Sequence, residues 1–169
     1  MRNFLLGLLV GIILPPAILG ALALTGLLPI NARAEPPNWE KKFLQAAVSR
    51  SIARQARVLK NPYAATDENL LLGMKVFHEG CDGCHGTANA KSTWGTGDFY
   101  PRVPQFGFDP PRLPDWQIYW VVKNGIRYTG MAGNDPDISE EHAWKVALFL
   151  SRLDSLPPAV EAQWRKRAK

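Results

Sequence analysis

The sequence contains only two cysteines among its 169 residues. Two thiols are too few for a disulfide framework and too few for a four-cysteine zinc site. The chain does not have the low hydrophobicity of a disordered protein either, since 46% of its residues are apolar. Its 14 prolines and 14 glycines are too many for a plain helical bundle with short turns. These absences leave a folded, loop-rich protein of about one domain's length.

Charge of one sign does not dominate the chain, although its formal net charge is +5. Residues 35–66 hold six basic and two acidic groups, whereas residues 67–157 hold eight basic and twelve acidic groups. Residues 158–169 form a predicted basic tail, with four basic groups and one acidic group. An acidic centre between basic flanks is not the continuous basic face of a nucleic-acid-binding protein. We therefore expect no nucleic-acid partner.

The N-terminal segment has no charge between Arg2 and Arg33. A bilayer core requires about 20 helical residues, and the uncharged, largely apolar run 4–30 exceeds that length. Arg2 ahead of the run predicts a cytoplasmic N-terminus and an exported remainder. A signal peptide cleaved at the A-x-A site of residues 32–34 is the alternative, but its apolar core would be unusually long. We predict that residues 1–34 are an uncleaved anchor in the cytoplasmic membrane, with the rest periplasmic.

The segment 35–66 is predicted to be a linker followed by a basic amphipathic helix. Asn38 is a suitable N-cap, and apolar residues recur at helical spacing over the predicted helix 39–59. Two interpretations remain open. The helix lies on anionic headgroups beside the anchor, or it is a surface helix whose apolar stripe packs on the acidic domain.

The segment 67–157 is predicted to form a helical domain with long loops. Helix signals cover 68–79 and 116–124, and a last helix begins after a Ser139 cap and is closed by Leu156-Pro157-Pro158. No strand pattern is present, so the predicted fold class is all-α. The long loop 86–114 indicates that the domain is built around something other than its own core.

The motif that supplies such a centre is Cys81-Asp82-Gly83-Cys84-His85. C-x-x-C-H is the attachment motif for c-type haem: each thiol adds to one vinyl group, and the adjacent histidine ligates the iron. One motif predicts one covalently bound haem c, held by Cys81 and Cys84, with His85 as an iron ligand. Haem attachment takes place outside the cytoplasm, which agrees with an export segment.

Three other interpretations of the two cysteines are weaker. A thioredoxin-like redox pair requires a βαβ context, which the helical pattern lacks. A disulfide between Cys81 and Cys84 would be strained and would leave His85 unexplained. A zinc site that adds His78 or His142 has irregular spacing.

Residues 67–157 resemble a class I c-type cytochrome domain. The matching motifs occur in the family's order: Gly73-x-x-x-Phe77, Cys81–His85 with Gly86, Pro104-Gln105-Phe106, Asn124–Met131, and Trp144–Leu153 with its aromatic Phe149. The resemblance implies that Gly73 lets the C-terminal helix cross closely. It also implies that a proline carbonyl, at Pro104 or the nearby Pro101, accepts from the ligand histidine and fixes its tautomer.

The resemblance also implies that Met131 is the distal iron ligand. Met131 lies on a loop beside Gly130, where a methionine that only fills the core is less expected, whereas Met74 lies on a helix and is interpreted as core. Ala132 follows Met131 where the family commonly has proline. His142, in the first turn of the last helix, is the rival ligand.

These residues predict one-electron transfer rather than enzymatic catalysis. Histidine and methionine together leave the iron no open position for a small-molecule substrate, and methionine favours Fe(II). The expected partners are the membrane and redox proteins that donate and accept the electron. Two other functions remain: a haem-bearing subunit of a larger membrane oxidoreductase, and a haem sensor or peroxidase-like protein with a labile sixth ligand.

Overall fold

The computed structural model of the chain describes residues 1–166, so the last residues of the predicted basic tail, 167–169, lie outside the described part. Helices are the only regular elements in the described part, which confirms the predicted all-α fold class. The chain divides into two units, Met1–Asn31 and Ala32–Lys169. The helices are α1 Arg2–Leu24, α2 Asn38–Gln55, α3 Asp67–Gly80, α4 Asp82–His85, α5 Thr93–Gly97, α6 Asp115–Asn124, α7 Glu140–Leu150 and α8 Pro158–Lys166.

The first unit is essentially the apolar helix α1. It continues through Pro15 and Pro16 without a break in its helical assignment. Its segment Asn3–Leu24 is long and apolar enough to cross a membrane and lies near the N-terminus, where a signal sequence has the same properties. This helix suggests membrane anchoring.

The core of the second unit is the crossing of α3 and α7. A Cβ atom on Gly73 would lie 2.1 Å from the carbonyl oxygen of Lys145, so only glycine permits this approach. Phe77 and Phe149 are fully buried beside the crossing, with ring centroids 6.1 Å apart. The close crossing that the resemblance implied at Gly73 is therefore present.

Helices α6 and α8 complete this core from two sides. The ring of Tyr119 on α6 stacks on that of Trp144 on α7 at 3.9 Å. Helix α8 packs on α3, with Val160 and Trp164 buried. The sequence pattern does not predict α8, because Pro158 there indicates the end of a helix. Proline is also favoured in the first helical turn, and here Pro158 begins a helix. Helix α7 ends at Leu150, before the predicted end at 156–158.

Helix α2 is shorter than predicted and is capped differently. It ends at Gln55, and Asn38 is its first helical residue, with Pro37 in the cap position. Ile52, on the helix, and Ala56, just after it, are buried, and the helix contacts α6. One face of α2 therefore packs on the domain.

Candidate functional site

The C-x-x-C-H motif lies where α3 ends and the single turn α4 begins. The amide of Cys81 donates to the Phe77 carbonyl at 2.8 Å, and the amide of His85 donates to the Cys81 carbonyl at 2.9 Å. Gly86, at φ +71°, ends the turn in the left-handed region that glycine tolerates. The structure therefore brings Cys81, Cys84 and His85 onto one helical turn, with both thiols free.

The environment of Cys81 does not suit a reactive redox thiol. Burial raises the pKa of Cys81 to about 11, and the neighbouring Asp82 carboxylate and Cys84 add to the increase. Cysteines that exchange disulfides have lowered pKa values, because the thiolate is the nucleophile. The side chain is therefore a neutral thiol at pH 7, which argues against the thioredoxin-like interpretation.

The imidazole of His85 is fixed in one orientation and one tautomer. Its Nδ1 lies 2.9 Å from the carbonyl oxygen of Pro104, and its ring stacks on Phe106 with centroids 4.3 Å apart and planes 8° from parallel. Burial lowers the pKa of His85, although the bond to Pro104 opposes this shift. A neutral imidazole that donates from Nδ1 has a free lone pair on Nε2, the atom available to a metal. The contact implied by the resemblance is thus present, at Pro104 rather than Pro101.

Gln105, for which the sequence predicted no role, joins the segments around this histidine. Its amide nitrogen donates to the carbonyls of Cys84 and Val103, each at 3.0 Å, and its amide oxygen accepts from the Ser92 amide at 2.7 Å. The side chain is buried. A polar amide between Pro104 and the aromatic Phe106 was the signal in the sequence for a buried hydrogen-bonding residue.

Helix α5 packs directly against the motif. Ser92 caps α5 by accepting from the Gly95 amide, and the Ser92 hydroxyl also donates to the Gly83 carbonyl at 2.5 Å. A Cβ atom on Gly95 would lie 1.9 Å from the Cys84 carbonyl oxygen. This approach fixes α5 and its exposed Trp94 beside the two cysteines.

Met131 closes a small hydrogen-bonded loop after α6. Its carbonyl accepts from the Ile126 amide at 2.9 Å, and its amide donates to the Thr129 hydroxyl at 3.1 Å. The loop begins at Gly125, φ +69°. A Cβ atom on Gly130 would lie 2.3 Å from the Phe99 ring, so this loop packs against the long loop that carries α5. Met131 itself is half-buried.

The other two histidines differ from each other. His142 is exposed in the first turn of α7. The side chain of His78, in the last turn of α3, is 8% exposed, with Nδ1 3.0 Å from an Asp82 carboxylate oxygen. Within residues 1–166, no group of three or more His, Cys, Asp and Glu side chains is arranged to hold a metal ion, so the zinc interpretation gains no support.

Residues 68–150 match the family model described as cytochrome c oxidase, cbb3-type, subunit III. The match supports a c-type cytochrome domain. It covers nearly all of α3 and the whole of α4 to α7, with the C-x-x-C-H turn and the Met131 loop inside it. No curated protein matches the chain significantly. No solved structure matches it significantly either.

The cytochrome c domain implies haem c, and the residues present fit this group. Cys81 and Cys84 are both unpaired thiols on one turn, as two thioether bonds require. His85 has the tautomer that leaves Nε2 to an iron atom, because Nδ1 is engaged by Pro104. The donor set therefore agrees with the cofactor that the family match implies, and haem-based electron transfer is the function it supports.

Proposed function

We propose that this protein is a membrane-anchored electron carrier with a single, covalently bound haem c whose iron is ligated by His85 and Met131. The observation that carries the proposal is the 2.9 Å hydrogen bond between His85 Nδ1 and the Pro104 carbonyl, made by a histidine on the same helical turn as two free cysteines. When bound, haem c supplies a one-electron Fe(III)/Fe(II) couple.

The chain's own residues have separate tasks in this proposal. Cys81 and Cys84 hold the cofactor through two thioether bonds. The Pro104 carbonyl keeps the proton on His85 Nδ1 and the lone pair on Nε2. The loop bonds of Met131 present a thioether, a soft and neutral donor that favours the reduced metal and raises the potential.

Electron transfer rather than catalysis follows from this ligand set. Two protein ligands leave no open coordination position, so no small-molecule substrate is expected at the metal. The partners are redox proteins that donate and accept one electron. The match to a cytochrome c domain supports this function class.

The proposed location is the outer, periplasmic face of the cytoplasmic membrane. Helix α1 has the length and composition of a single span. Arg2 precedes it, which favours a cytoplasmic N-terminus. Cofactor attachment to C-x-x-C-H on the exported side is consistent with this orientation.

A second candidate is a haem-bearing subunit of a larger membrane oxidoreductase. The observation that favours it is the description of the matching family, which names a subunit of a cbb3-type cytochrome c oxidase. Purification of the full chain in mild detergent, with mass spectrometry of the accompanying proteins, separates the two. Stoichiometric membrane subunits would favour the complex, and the chain alone would favour the free carrier.

The test of the main proposal is purification of the full chain with its cofactor. We expect one haem per chain by pyridine haemochrome, retained after acid–acetone extraction. We also expect the weak long-wavelength charge-transfer band of a sulfur–iron bond in the oxidised protein. Haem that leaves the chain in acid–acetone would refute covalent attachment, and a carbon-monoxide-binding ferrous form would favour the sensor or peroxidase-like alternative.

A further inference from the structure

The side of α2 that faces away from the domain carries exposed aromatic and basic side chains. Ile52, on one side of the helix, is buried, and α2 contacts α6. On the opposite side Trp39 is 70% exposed and Phe43 67% exposed. These two residues are one turn apart, and basic residues continue the same side along the helix. We call this side the outer face of α2; it consists of Trp39, Lys42, Phe43, Arg50 and Arg54.

The cationic side chains of the outer face have no hydrogen-bonding or ion-pair partner among residues 1–166. No hydrogen bond or ion pair joins the side chains of Lys42, Arg50 or Arg54 to any residue of 1–166. Lys41, on the other side of the helix, pairs with Glu35 at 2.9 Å. The one acidic residue of α2, Glu40, accepts from the Tyr100 hydroxyl instead. The outer face therefore combines unpaired positive charge with large apolar side chains.

This combination is that of a helix lying in a membrane interface. Such helices place Trp and Phe at the boundary between headgroups and acyl chains, while Lys and Arg contact anionic headgroups. Each Lys or Arg near an anionic surface contributes roughly a five-fold gain in affinity. A protein partner would have to supply acidic groups for the cations and an apolar site for the aromatics together.

The short segment between α1 and α2 determines which membrane surface the outer face of α2 can reach. The Arg102 guanidinium donates to the carbonyls of Ala32 at 2.8 Å and Arg33 at 3.0 Å, and Arg33 pairs with Asp98 at 2.6 Å. The segment that precedes α2 is therefore bonded into the second unit. The residues between it and the end of α1, 25–31, span at most about 25 Å when fully extended. A membrane that contains α1 is consequently always close to the start of this unit.

We propose that the outer face of α2 binds the anionic headgroups of the membrane in which α1 is anchored. Trp39 and Phe43 insert at the headgroup boundary, and Lys42, Arg50 and Arg54 contact lipid phosphates. The inference rests on retention of the anchor and not on the identity of the iron ligands. Its consequence is that the cytochrome domain has a preferred orientation on the bilayer instead of rotating freely on its tether.

The test uses the full, haem-loaded, reduced chain in nanodiscs, labelled with 5-fluorotryptophan. None of the six tryptophans lies in α1, and a Trp39→Phe variant assigns the Trp39 fluorine resonance. A lipid with a nitroxide on its headgroup broadens fluorine signals close to the surface. In discs containing phosphatidylglycerol we expect the Trp39 resonance to broaden several-fold more than those of the buried Trp144 and Trp164. Equal broadening of the three resonances would overturn the proposal.

A charge variant tests the role of the anionic lipid. Arg50→Gln with Arg54→Gln should reduce the docking equilibrium by about 25-fold, five-fold for each arginine. Arg112→Gln with Arg152→Gln removes the same charge from other exposed positions and should leave the Trp39 broadening unchanged. Equal loss in both variants, or equal broadening in purely zwitterionic discs, would contradict specific headgroup binding. Neither pair touches the cysteines, His85 or Met131, so the haem content separates this outcome from a failure of the proposed function.

Discussion

The two proposed iron ligands are held by very different surroundings. His85, with the segments 81–86 and 103–106, forms the proximal side, where a buried amide, a proline carbonyl and a stacked ring converge. Met131 belongs to the distal side, residues 125–135, a loop closed by its own backbone and packed on Phe99. We therefore expect the proximal side to contribute more to the stability of the fold than the distal side, whose proposed ligand should be replaceable without unfolding the domain.

The largest expected effect comes from removing the attachment on the proximal side. Cys81→Ser or Cys84→Ser leaves only one thioether bond, and a loop-rich domain that is built around its cofactor should then accumulate poorly. We expect most of the holoprotein to be lost, measured as haem stain on a denaturing gel against total chain by immunoblot. Ser155→Ala, at an exposed position, is the matched control and should leave the haem content unchanged. Full haem retention in both cysteine variants would contradict the attachment assignment.

A smaller but still large effect is expected from Gln105→Leu. Leucine has a similar volume but leaves the Ser92 amide and two carbonyls without their partner. An unsatisfied buried group costs about 1–3 kcal/mol, but these three groups are only partly buried and water can replace part of what they lose. The free energy of unfolding should therefore fall by roughly 2–4 kcal/mol. Denaturant unfolding of the holoprotein measures this change.

The control for Gln105 is Gln163→Leu, an exposed position on α8. It should change the unfolding free energy little, because no hydrogen bond joins its side chain to the described residues 1–166. If Gln105→Leu lowered the free energy of unfolding as little as Gln163→Leu, the rigidity of the proximal side would not depend on this amide. The contrast with the distal side would then weaken.

The distal ligand should affect the potential far more than the stability. Met131→His replaces a thioether by imidazole, the better donor to Fe(III), and should lower the reduction potential on the order of 100 mV while the iron remains six-coordinate. Met131→Ala should open the iron to carbon monoxide. Spectroelectrochemistry and ferrous ligand binding measure both changes.

His142→Ala separates the two candidate distal ligands. His142 is exposed in the first turn of α7, and its backbone amide donates to the Ser139 hydroxyl at 3.1 Å. The variant should keep the spectrum and the potential of the parent protein. A potential that responds to His142 but not to Met131 would instead indicate a bis-histidine haem.

The contrast between the two sides also explains which features the sequence could predict. Local rules and the motifs of a known domain predict Gly73 at a close helix crossing, Ser139 as a helix cap and a proline carbonyl as the partner of His85. The structure contains all three. Helix α8 was not predicted, because its burial depends on a tertiary contact with α3 that leaves no local pattern. Gln105 was missed for the same reason: its three partners lie in separate segments.

The smallest expected effect concerns the polar contacts that support the distal side. Lys123 pairs with Asp135 at 2.9 Å and also contacts Glu140, which accepts from the Tyr119 hydroxyl. The hydrogen bond from Lys123 is the main cause that lowers the pKa of Glu140, with that from Tyr119 next. The side chain of Glu140 is 63% exposed, so solvent and salt weaken the interaction.

The pH dependence of this contact follows from the direction of the shift. A carboxyl group whose pKa is lower in the folded state stabilises the protein above its unfolded pKa, and that contribution is lost as the pH falls through the folded value. Glu140→Gln should therefore lower Tm by about 1 °C at pH 7. The difference should diminish as the pH falls below the ordinary carboxyl pKa of about 4.3 towards the lowered folded-state pKa, and it should shrink in high salt. Asp154→Asn, at an exposed position without an ion pair to residues 1–166, should show no such pH-dependent difference. A Tm difference between the parent protein and Glu140→Gln that stayed constant from pH 3 to pH 7 would mean that packing, not charge, supports the distal side. The distal side would then resemble the proximal side more closely than its contacts indicate.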